Sequence, residues 1–386
     1  MATIDRLLQH VRQAGGSDLH LADGQPPWMR RNGQLAALAG EQPLGAEALG
    51  ALLKEIVPPG SWEGFERGGE ATFAYSPDGQ TRFRVSCFRQ AAGRGAACRL
   101  VPAAPPGLAE LGLAPAVREF GKLRTGLVLI AGPTGAGVST TVAALLQEIA
   151  LNQSRRILTV EDPIEYVLPS RKSTVAQREI GTHVPDLATA LRDAARNGFD
   201  VISVGELRGR DSIALAMTAV QAGALVIGTL RSSTVVRALD QITGVFPEEE
   251  KHWARAMLAN VLRGVCVQHL VPKADGSGRC AVNEVLVGTP GVGAAIREGY
   301  ISKLNTMIQS GGADGMITLD DALRKKVEAK VITAQEALAR ANDKSRFQGM
   351  VKGGEAPGSP PPPPPPMAGR TQFITRPSGS QPTGRR

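Results

Sequence analysis

Four short apolar runs recur through the middle of the chain, and stretches with helical spacing separate them. The runs lie at residues 127–130, 157–160, 201–204 and 225–230. Strands that are apolar throughout, instead of alternating, are typical of a parallel sheet that helices cover on both faces. The pattern therefore predicts an α/β domain with a mainly parallel sheet.

The beginning of the chain has a different pattern. Apolar residues with the spacing of an amphipathic helix come first: Ile4, Leu7, Leu8 and Val11. Residues 81–86 then alternate as a short strand does, which together with the helix predicts a small α+β domain. A proline-rich break at residues 101–107 separates this part from the parallel-sheet pattern.

The end of the chain has the composition of a disordered segment. Residues 344–386 are rich in Pro, Gly and Arg, and residues 360–366 are all proline. Such a run forms a stiff polyproline II segment. We favour a plain tail over a ligand for an SH3-type domain. The predicted division is an N-terminal domain at 1–102, a linker at 103–115, a main domain at 116–343 and a tail at 344–386.

The net charge of +8 is concentrated in this tail. The tail contains seven Lys and Arg and a single acid, Glu355, so the rest of the chain has a net charge of only +2. A nearly balanced body argues against a nucleic-acid partner. The basic tail leaves open a peripheral contact with an anionic membrane surface, as an alternative to docking a protein partner.

Composition points to a globular protein of the cytoplasm. The 386 residues are 42% hydrophobic and 21% charged, with no run of about 18 apolar residues. The N-terminus lacks the apolar stretch of a secretory signal. Four cysteines lie far apart without a C-x-x-C pair, which favours reduced thiols over a zinc site.

A glycine-rich loop follows the first apolar run and leads into a helical pattern. It has the form of a phosphate-binding loop, except that Val138 stands where the lysine belongs. Backbone N–H groups of such a loop bind phosphate oxygens, and Ser139 is placed to bind Mg²⁺. The predicted nucleotide-binding residues are Gly132, Pro133, Thr134, Gly135, Ala136, Gly137, Val138, Ser139 and Thr140.

Acidic residues follow two further strands. Glu161 comes after the run at 157–160, and Glu206 comes after the run at 201–204. Because parallel strands end at the same edge of a sheet, both carboxylates are expected near the phosphate loop. A carboxylate there holds Mg²⁺ through water or polarises an attacking water. Glu161 and Glu206 are therefore the candidate catalytic residues, with Ser139 and Glu206 as the magnesium ligands.

With these motifs the chain resembles the type IV pilus retraction ATPases, the PilT-type family of secretion ATPases. The matching segments are Gly16-Ser17-Asp18-Leu19-His20-Leu21, Glu161-Asp162-Pro163-Ile164-Glu165, Gln177-Arg178-Glu179, Leu191-Arg192 with Arg196, and Gly205-Glu206-Leu207-Arg208. The resemblance implies a PAS-like N-terminal domain, a RecA-like P-loop domain and a hexamer that binds ATP or ADP with Mg²⁺. It also implies an inner-membrane pilus platform protein as a partner.

The resemblance implies supporting roles for several arginines. Arg82, Arg84 and Arg99 are expected near a nucleotide that lies between the two domains. Arg192 and Arg196 match arginines that precede the acidic strand end in the family, and Arg178 lies in a segment that matches another arginine-bearing stretch. Arg231 stands where the family has a histidine, and it is the candidate for a replacement cation.

Departures from the family pattern affect the charged positions. The lysine is Val138, the two histidines are Ala224 and Arg231, and the acid after Arg208 is Gly209. We therefore expect a hydrolysis-impaired paralogue at the inner-membrane pilus base, with weakened nucleotide binding. It would act as a structural or regulatory subunit in a homo-hexamer or in a mixed hexamer with an active paralogue. The alternatives are an active retraction motor that uses Arg231, and an adaptor that docks a partner through its tail.

Overall fold

The computed structural model describes residues 3–31, 34–79, 81–101 and 104–352. The first part contains an antiparallel sheet of six strands in the order β3-β2-β1-β6-β5-β4. Its elements are α1 (Thr3–Gln13), β1 (Asp18–Ala22), β2 (Trp28–Arg31), β3 (Gln34–Ala37), α2 (Ala46–Ile56), α3 (Pro59–Glu66), β4 (Ala71–Tyr75), β5 (Arg82–Gln90) and β6 (Gly93–Val101).

The periodicity of the sequence accounts for this first core. The four apolar residues predicted for α1 are all buried and join one cluster with residues of the sheet. In β5, Phe83, Val85 and Cys87 are buried while the intervening residues are more exposed. Alternation of this kind places one face of a strand on the core. The prediction of a small α+β domain is confirmed.

The second part contains a seven-stranded sheet in the order β13-β12-β7-β11-β10-β8-β9. Its strands are β7 (Gly126–Ala131), β8 (Arg156–Glu161), β9 (Thr174–Glu179), β10 (Val201–Val204), β11 (Leu225–Leu230), β12 (Leu262–Pro272) and β13 (Arg279–Val287). Each neighbouring pair is parallel except β12 with β13. The four apolar runs are four of these parallel strands, so the α/β prediction is confirmed.

Helices accompany this sheet. They are α4 (Pro115–Phe120), α5 (Val138–Asn152), α6 (Leu187–Arg196), α7 (Arg210–Gln221), α8 (Val235–Gly244), α9 (Glu248–Val261), α10 (Pro290–Glu298), α11 (Leu304–Ser310), α12 (Leu319–Glu328), α13 (Ala334–Arg340) and α14 (Ser345–Lys352). Short 3₁₀ turns lie at Ile301–Lys303 and Gly312–Asp314. Two large clusters contain alternate residues of the strands, one cluster on each face of the sheet. No helix among the described residues is long and apolar enough to cross a membrane.

The predicted tail begins too early. The helix Ser345–Lys352 lies within residues 344–386, which were expected to be disordered. Phe347 of this helix is fully buried against Val271, Val282 and Leu323. The composition of this short helix is mainly polar and does not predict it. Burial of one aromatic residue, Phe347, in the core anchors the helix. The rest of the predicted tail, including the proline run, lies outside the described residues.

The two sheets meet through a small apolar contact and two arginines. Val101 at the end of β6 clusters with Ala143 of α5 and with Tyr166. The arginines Arg82 and Arg84 reach from β5 to the segment that follows β8. Residues 104–114 of the predicted linker lie between the last strand of the first sheet and α4, and the linker boundaries stay a prediction.

Candidate nucleotide-binding site

The strand order brings the predicted site residues to one edge of the sheet. The strands β7, β11, β10 and β8 are neighbours and run parallel. The phosphate loop follows β7, Arg231 follows β11, Glu206 follows β10, and Glu161 is the last residue of β8. Ligands of open α/β sheets bind at this carboxyl edge. The position of Arg231 between the loop and Glu206 is a consequence of the same order.

The backbone of the loop has the features of an anion site. Gly135 and Gly137 both have a φ of +80°, which a residue with a side chain rarely adopts. Gly137 is the N-cap of α5, a helix of 15 residues, so the N–H groups of its first turn have no partner within the helix. Residues 133–135 and Ser139 are exposed. An exposed helix start of this kind fits a phosphate group.

Val138 supplies no charge to this loop. Its side chain is half-buried and packs against the core cluster beneath α5. One of its methyl carbons, Cγ2, lies 3.0 Å from the point that a Cβ on Gly132 would occupy. The valine therefore folds back onto the beginning of the loop. No ammonium is present here to contact the β- and γ-phosphates, the usual role of the lysine.

Glu206 is held by two arginines. Its Oε2 accepts a hydrogen bond from Arg208 at 2.5 Å and another from Nε of Arg231 at 3.2 Å. Arg208 and then Arg231 hold the pKa of this carboxyl below its usual range. The carboxylate stays ionised, but guanidinium groups already match its charge. The guanidinium of Arg231 is thus engaged with Glu206.

Glu161 has the opposite environment. Its Oε1 accepts hydrogen bonds from Thr159 at 2.6 Å and from Gln177 at 3.0 Å, both of them neutral donors. Burial raises the pKa of this carboxyl, and the hydrogen bonds oppose the rise only in part. Carboxyl groups with a raised pKa can exchange protons closer to neutral pH, as general bases do. The two acids therefore have opposite environments, with the pKa of Glu161 raised by burial and that of Glu206 lowered by arginines.

Two of the three arginines from the first sheet reach the segment after β8. Arg82 donates from Nε to the carbonyl of Ile164 at 3.0 Å, and Arg84 pairs with Glu165 at 2.8 Å. Arg99 is the cross-strand neighbour of Arg84, but its guanidinium pairs with Asp18 of its own domain at 2.9 Å. The expectation that all three lie near a nucleotide between the domains stays a prediction.

The remaining arginines lie at the far margin of the sheet. Arg178 of β9 is 3.7 Å from Asp193 of α6, and Arg192 donates to Thr189 one turn earlier in that helix. Arg196 is exposed in the last turn of α6. Strand β9 is the outermost strand, beyond β8, so the structure does not place these three residues beside the phosphate loop.

Two contacts to the loop were not predicted from the sequence. The hydroxyl of Tyr166 lies 3.1 Å from that of Thr140, and Tyr166 is 7% exposed. Gln268 of β12 donates from Nε2 to the carbonyl of Ala136 at 2.7 Å. Tyr166 directly follows the acidic segment, which is a weak signal. Gln268 is 132 residues from its partner, and only the pairing of β12 with β7 brings them together.

Comparison with known proteins identifies the family. The family model for type II/IV secretion system proteins matches residues 68–351. The type IV pilus retraction ATPase PilT of Pseudomonas aeruginosa is 38% identical over 344 residues, which are 89% of this chain and 99% of that protein. A twitching motility protein of Neisseria gonorrhoeae is 37% identical over 78% of this chain and 80% of its own length. The ATPase PilU of P. aeruginosa is 33% identical over 90% of this chain and 91% of its own length.

Solved structures give the same answer for the fold. The crystal structure of the pilus retraction motor PilT with bound ADP superposes with a TM-score of 0.81 at 32% identity. The superposition covers 91% of this chain and the whole of the PilT chain. The ATPase DotB of Legionella pneumophila superposes with a TM-score of 0.72 at 26% identity, over 86% of this chain and 94% of its own. This chain belongs to the type II/IV secretion system protein family, and within it to the PilT-type retraction ATPases of type IV pili.

Proposed function

We propose that this chain is a hydrolysis-impaired member of the retraction ATPases that serves as a structural or regulatory subunit of a pilus retraction hexamer. One observation carries the proposal: Glu206 is paired with both Arg208 and Arg231, while Val138 leaves the loop without a cation. Phosphoryl transfer needs both the cation of the loop and the carboxylate at the strand end, and both are altered in this chain. The relatives in P. aeruginosa include the type IV pilus retraction ATPase PilT and the type IV pilus ATPase PilU, so pilus ATPases of this family do occur as paralogues.

ATP or ADP with Mg²⁺ is the proposed ligand, held more weakly than by a loop with a lysine. The support is the exposed helix start at Gly137 and the left-handed glycines before it. The solved PilT relative holds ADP. The hydroxyl of Ser139 and the carboxylate of Glu206 are the oxygen donors that Mg²⁺ prefers, although Glu206 would have to exchange a guanidinium contact for the ion. Such a metal would neutralise phosphate charge.

A working motor that uses Arg231 as its cation is the second candidate. Its support is topological, because Arg231 follows β11, the strand next to β7. Its weakness is the 3.2 Å contact between Arg231 and Glu206, which directs the guanidinium to the carboxylate. The third candidate, an adaptor that docks a partner through the proline-rich tail, depends on residues outside the described ones.

The proposed assembly is a homo-hexamer, or a mixed hexamer with an active paralogue, at the inner-membrane pilus base. The proposed partner there is the pilus platform protein. Mass photometry of the purified chain, alone and after mixing with a tagged active relative, measures this directly. Particles of six subunits that contain both proteins are expected for the mixed form. A chain that stays monomeric in both samples would contradict the assembly.

Steady-state phosphate release tests the impairment. We expect the purified protein and its Glu206→Gln variant to give equally low rates, because Glu206 no longer acts on water in either. Turnover near about 1 s⁻¹, the low end of ordinary enzyme rates, that is abolished in Glu206→Gln would overturn the proposal. An Arg231→Gln variant then distinguishes the second candidate, since only a motor that uses this arginine loses its activity.

A further inference from the structure

Gln268 is the central residue of a buried polar network beneath the phosphate loop. It lies on β12, one residue beyond the point where Val267 pairs with Ala131 at the end of β7. Its backbone carbonyl oxygen is 2.7 Å from where a Cβ on Gly132 would lie, so the loop packs directly on β12. The side chain is only 2% exposed. A buried amide at this position requires internal partners, because water does not reach it.

Both ends of the Gln268 amide have such partners. Its Nε2 donates to the carbonyl of Ala136 at 2.7 Å. Its Oε1 accepts from the hydroxyl of Thr141 at 2.9 Å and from Nδ2 of Asn283 at 3.3 Å. Asn283, directly opposite on β13, in turn accepts from the backbone N–H of Ala114. The amide therefore connects the loop to the first turn of α5 and to the segment before α4.

The bond to Ala136 sets the direction of the next N–H. The C=O and N–H of a planar trans peptide point in opposite directions. Because Gln268 holds the Ala136 carbonyl on the side of β12, the Gly137 N–H is directed away from β12. Within the described part of the chain, this N–H has no hydrogen-bond acceptor. An oriented donor at a helix start is an anion-binding group.

We infer that Gln268 is a positioning residue for nucleotide binding, which fixes the Ala136–Gly137 peptide so that the Gly137 N–H faces a phosphate group. The inference rests on the proposed nucleotide site. It gives that site a specific dependence: with Val138 in place of a lysine, backbone donors provide a larger share of the affinity for phosphate. The orientation of the loop peptide then sets how tightly a nucleotide binds.

The decisive experiment measures the affinity of the full chain for ADP with Mg²⁺ by calorimetry, with urea unfolding alongside. In Gln268→Met, a side chain of similar length keeps the buried position filled but leaves the Ala136 carbonyl without its donor. We expect the Kd for ADP to rise about tenfold, the scale of one misplaced hydrogen bond. Thr141→Val keeps the bond to Ala136, so it is expected to raise the Kd by less than about threefold.

A stability control separates positioning from general weakening. Leu323→Ala removes fully buried packing on α12, in a cluster to which the phosphate loop does not belong. It is expected to lower the unfolding free energy while the Kd for ADP stays as in the wild type. A loss of ADP affinity in Leu323→Ala equal to that in Gln268→Met would overturn the inference. An unchanged Kd for ADP in Gln268→Met would also overturn the inference. A rise of the Kd in Thr141→Val equal to that in Gln268→Met would overturn it too.

Hydrogen exchange gives a second measurement that does not need nucleotide. Mass spectrometry of the free protein is expected to show faster exchange at residues 132–140 in Gln268→Met than in Leu323→Ala. Equal exchange in the two variants would count against the inference. Turnover by the wild type overturns the proposed impairment but leaves the ADP comparison intact. A wild type that binds no ADP overturns this inference and the proposed nucleotide binding together.

Discussion

The backbone of the phosphate loop and the charged side chains at the neighbouring strand ends differ in how far they keep the family pattern. In the loop, Gly135 and Gly137 have left-handed backbone, and α5 begins directly after them. At the strand ends, Arg231 pairs with Glu206, and at the start of α5 Val138 stands where the phosphate-loop motif has a lysine. The loop backbone therefore has the geometry of an anion site, whereas Val138 is uncharged and the carboxylate of Glu206 is already paired.

This difference separates binding from catalysis. Backbone N–H groups and a helix start attract phosphate without any particular side chain. Hydrolysis needs more, namely charges placed where the transition state develops them. A chain with the first and without the second is suited to sense or hold a nucleotide within an assembly. Substitutions can change the loop backbone and the charges one at a time.

The largest expected effect comes from restoring the charges. Val138→Lys combined with Arg231→His returns an ammonium to the loop and releases Glu206 from one of its two guanidinium partners. Each lost transition-state contact of this kind costs about 10²–10³ in rate, so we expect a gain of about that size in phosphate release. Steady-state phosphate assays on both single variants and the double variant measure it.

Val138→Met is the matched control for this gain, because it lengthens the side chain without adding charge. Its rate is expected to equal that of the wild type. If the double variant is as slow as Val138→Met, the charges near the loop are not what limits hydrolysis. The contrast between a retained backbone and altered charges would then lose its functional meaning.

A smaller effect is expected from disturbing the backbone. Gly137→Ala places a Cβ on a residue with a φ of +80° and 3.1 Å from Nε2 of Gln268. The left-handed conformation costs a residue with a side chain about 1–2 kcal/mol, so the nucleotide-free loop should relax out of it. ADP binding would then have to restore this conformation, and ADP affinity should fall about tenfold. Gly349→Ala is the control, since Gly349 lies in α14 with open space around it. Equal affinity in the two variants, measured by calorimetry, would contradict the role of the loop backbone.

Much of the fold can be predicted from the sequence, because its pattern reflects burial. The strands β7, β10 and β11 are apolar runs in the sequence because nearly all of their residues are buried. The loop motif predicts the turn and the helix after β7. The direction of the Arg231 side chain could not be predicted. The sequence places Arg231 beside the phosphate loop. Whether its guanidinium contacts a phosphate or Glu206 depends on side-chain geometry at the sheet edge.

Long-range partners explain the other omissions. Gln268 lies in the mainly apolar strand β12, and nothing in its neighbours indicates that it contacts a carbonyl 132 residues away. Phe347 stands among polar residues, so the helix around it was assigned to the tail. Its partners Val271 and Val282 belong to β12 and β13, the antiparallel pair at one side of the sheet. Contacts of this kind are set by the assembled layers and not by local spacing.

The smallest expected effect distinguishes Glu161 from Glu206 through pH. The folded pKa of Glu161 is raised, so its contribution to stability is complete below about pH 4.3, the unfolded value, and is lost as the pH rises through the folded value. The folded pKa of Glu206 is lowered, so its contribution is present above about pH 4.3 and is lost as the pH falls through the folded value. Urea unfolding of Glu161→Gln and Glu206→Gln beside the wild type, from about pH 3 to about pH 8, measures both contributions to stability.

As the pH rises, the unfolding free energy of the wild type relative to Glu161→Gln should fall, and relative to Glu206→Gln it should rise. Each change is expected to be about 1 kcal/mol or less. Slopes of the same sign would mean that the two carboxyls do not have opposite environments, because a shared trend requires both folded pKa values to move in one direction.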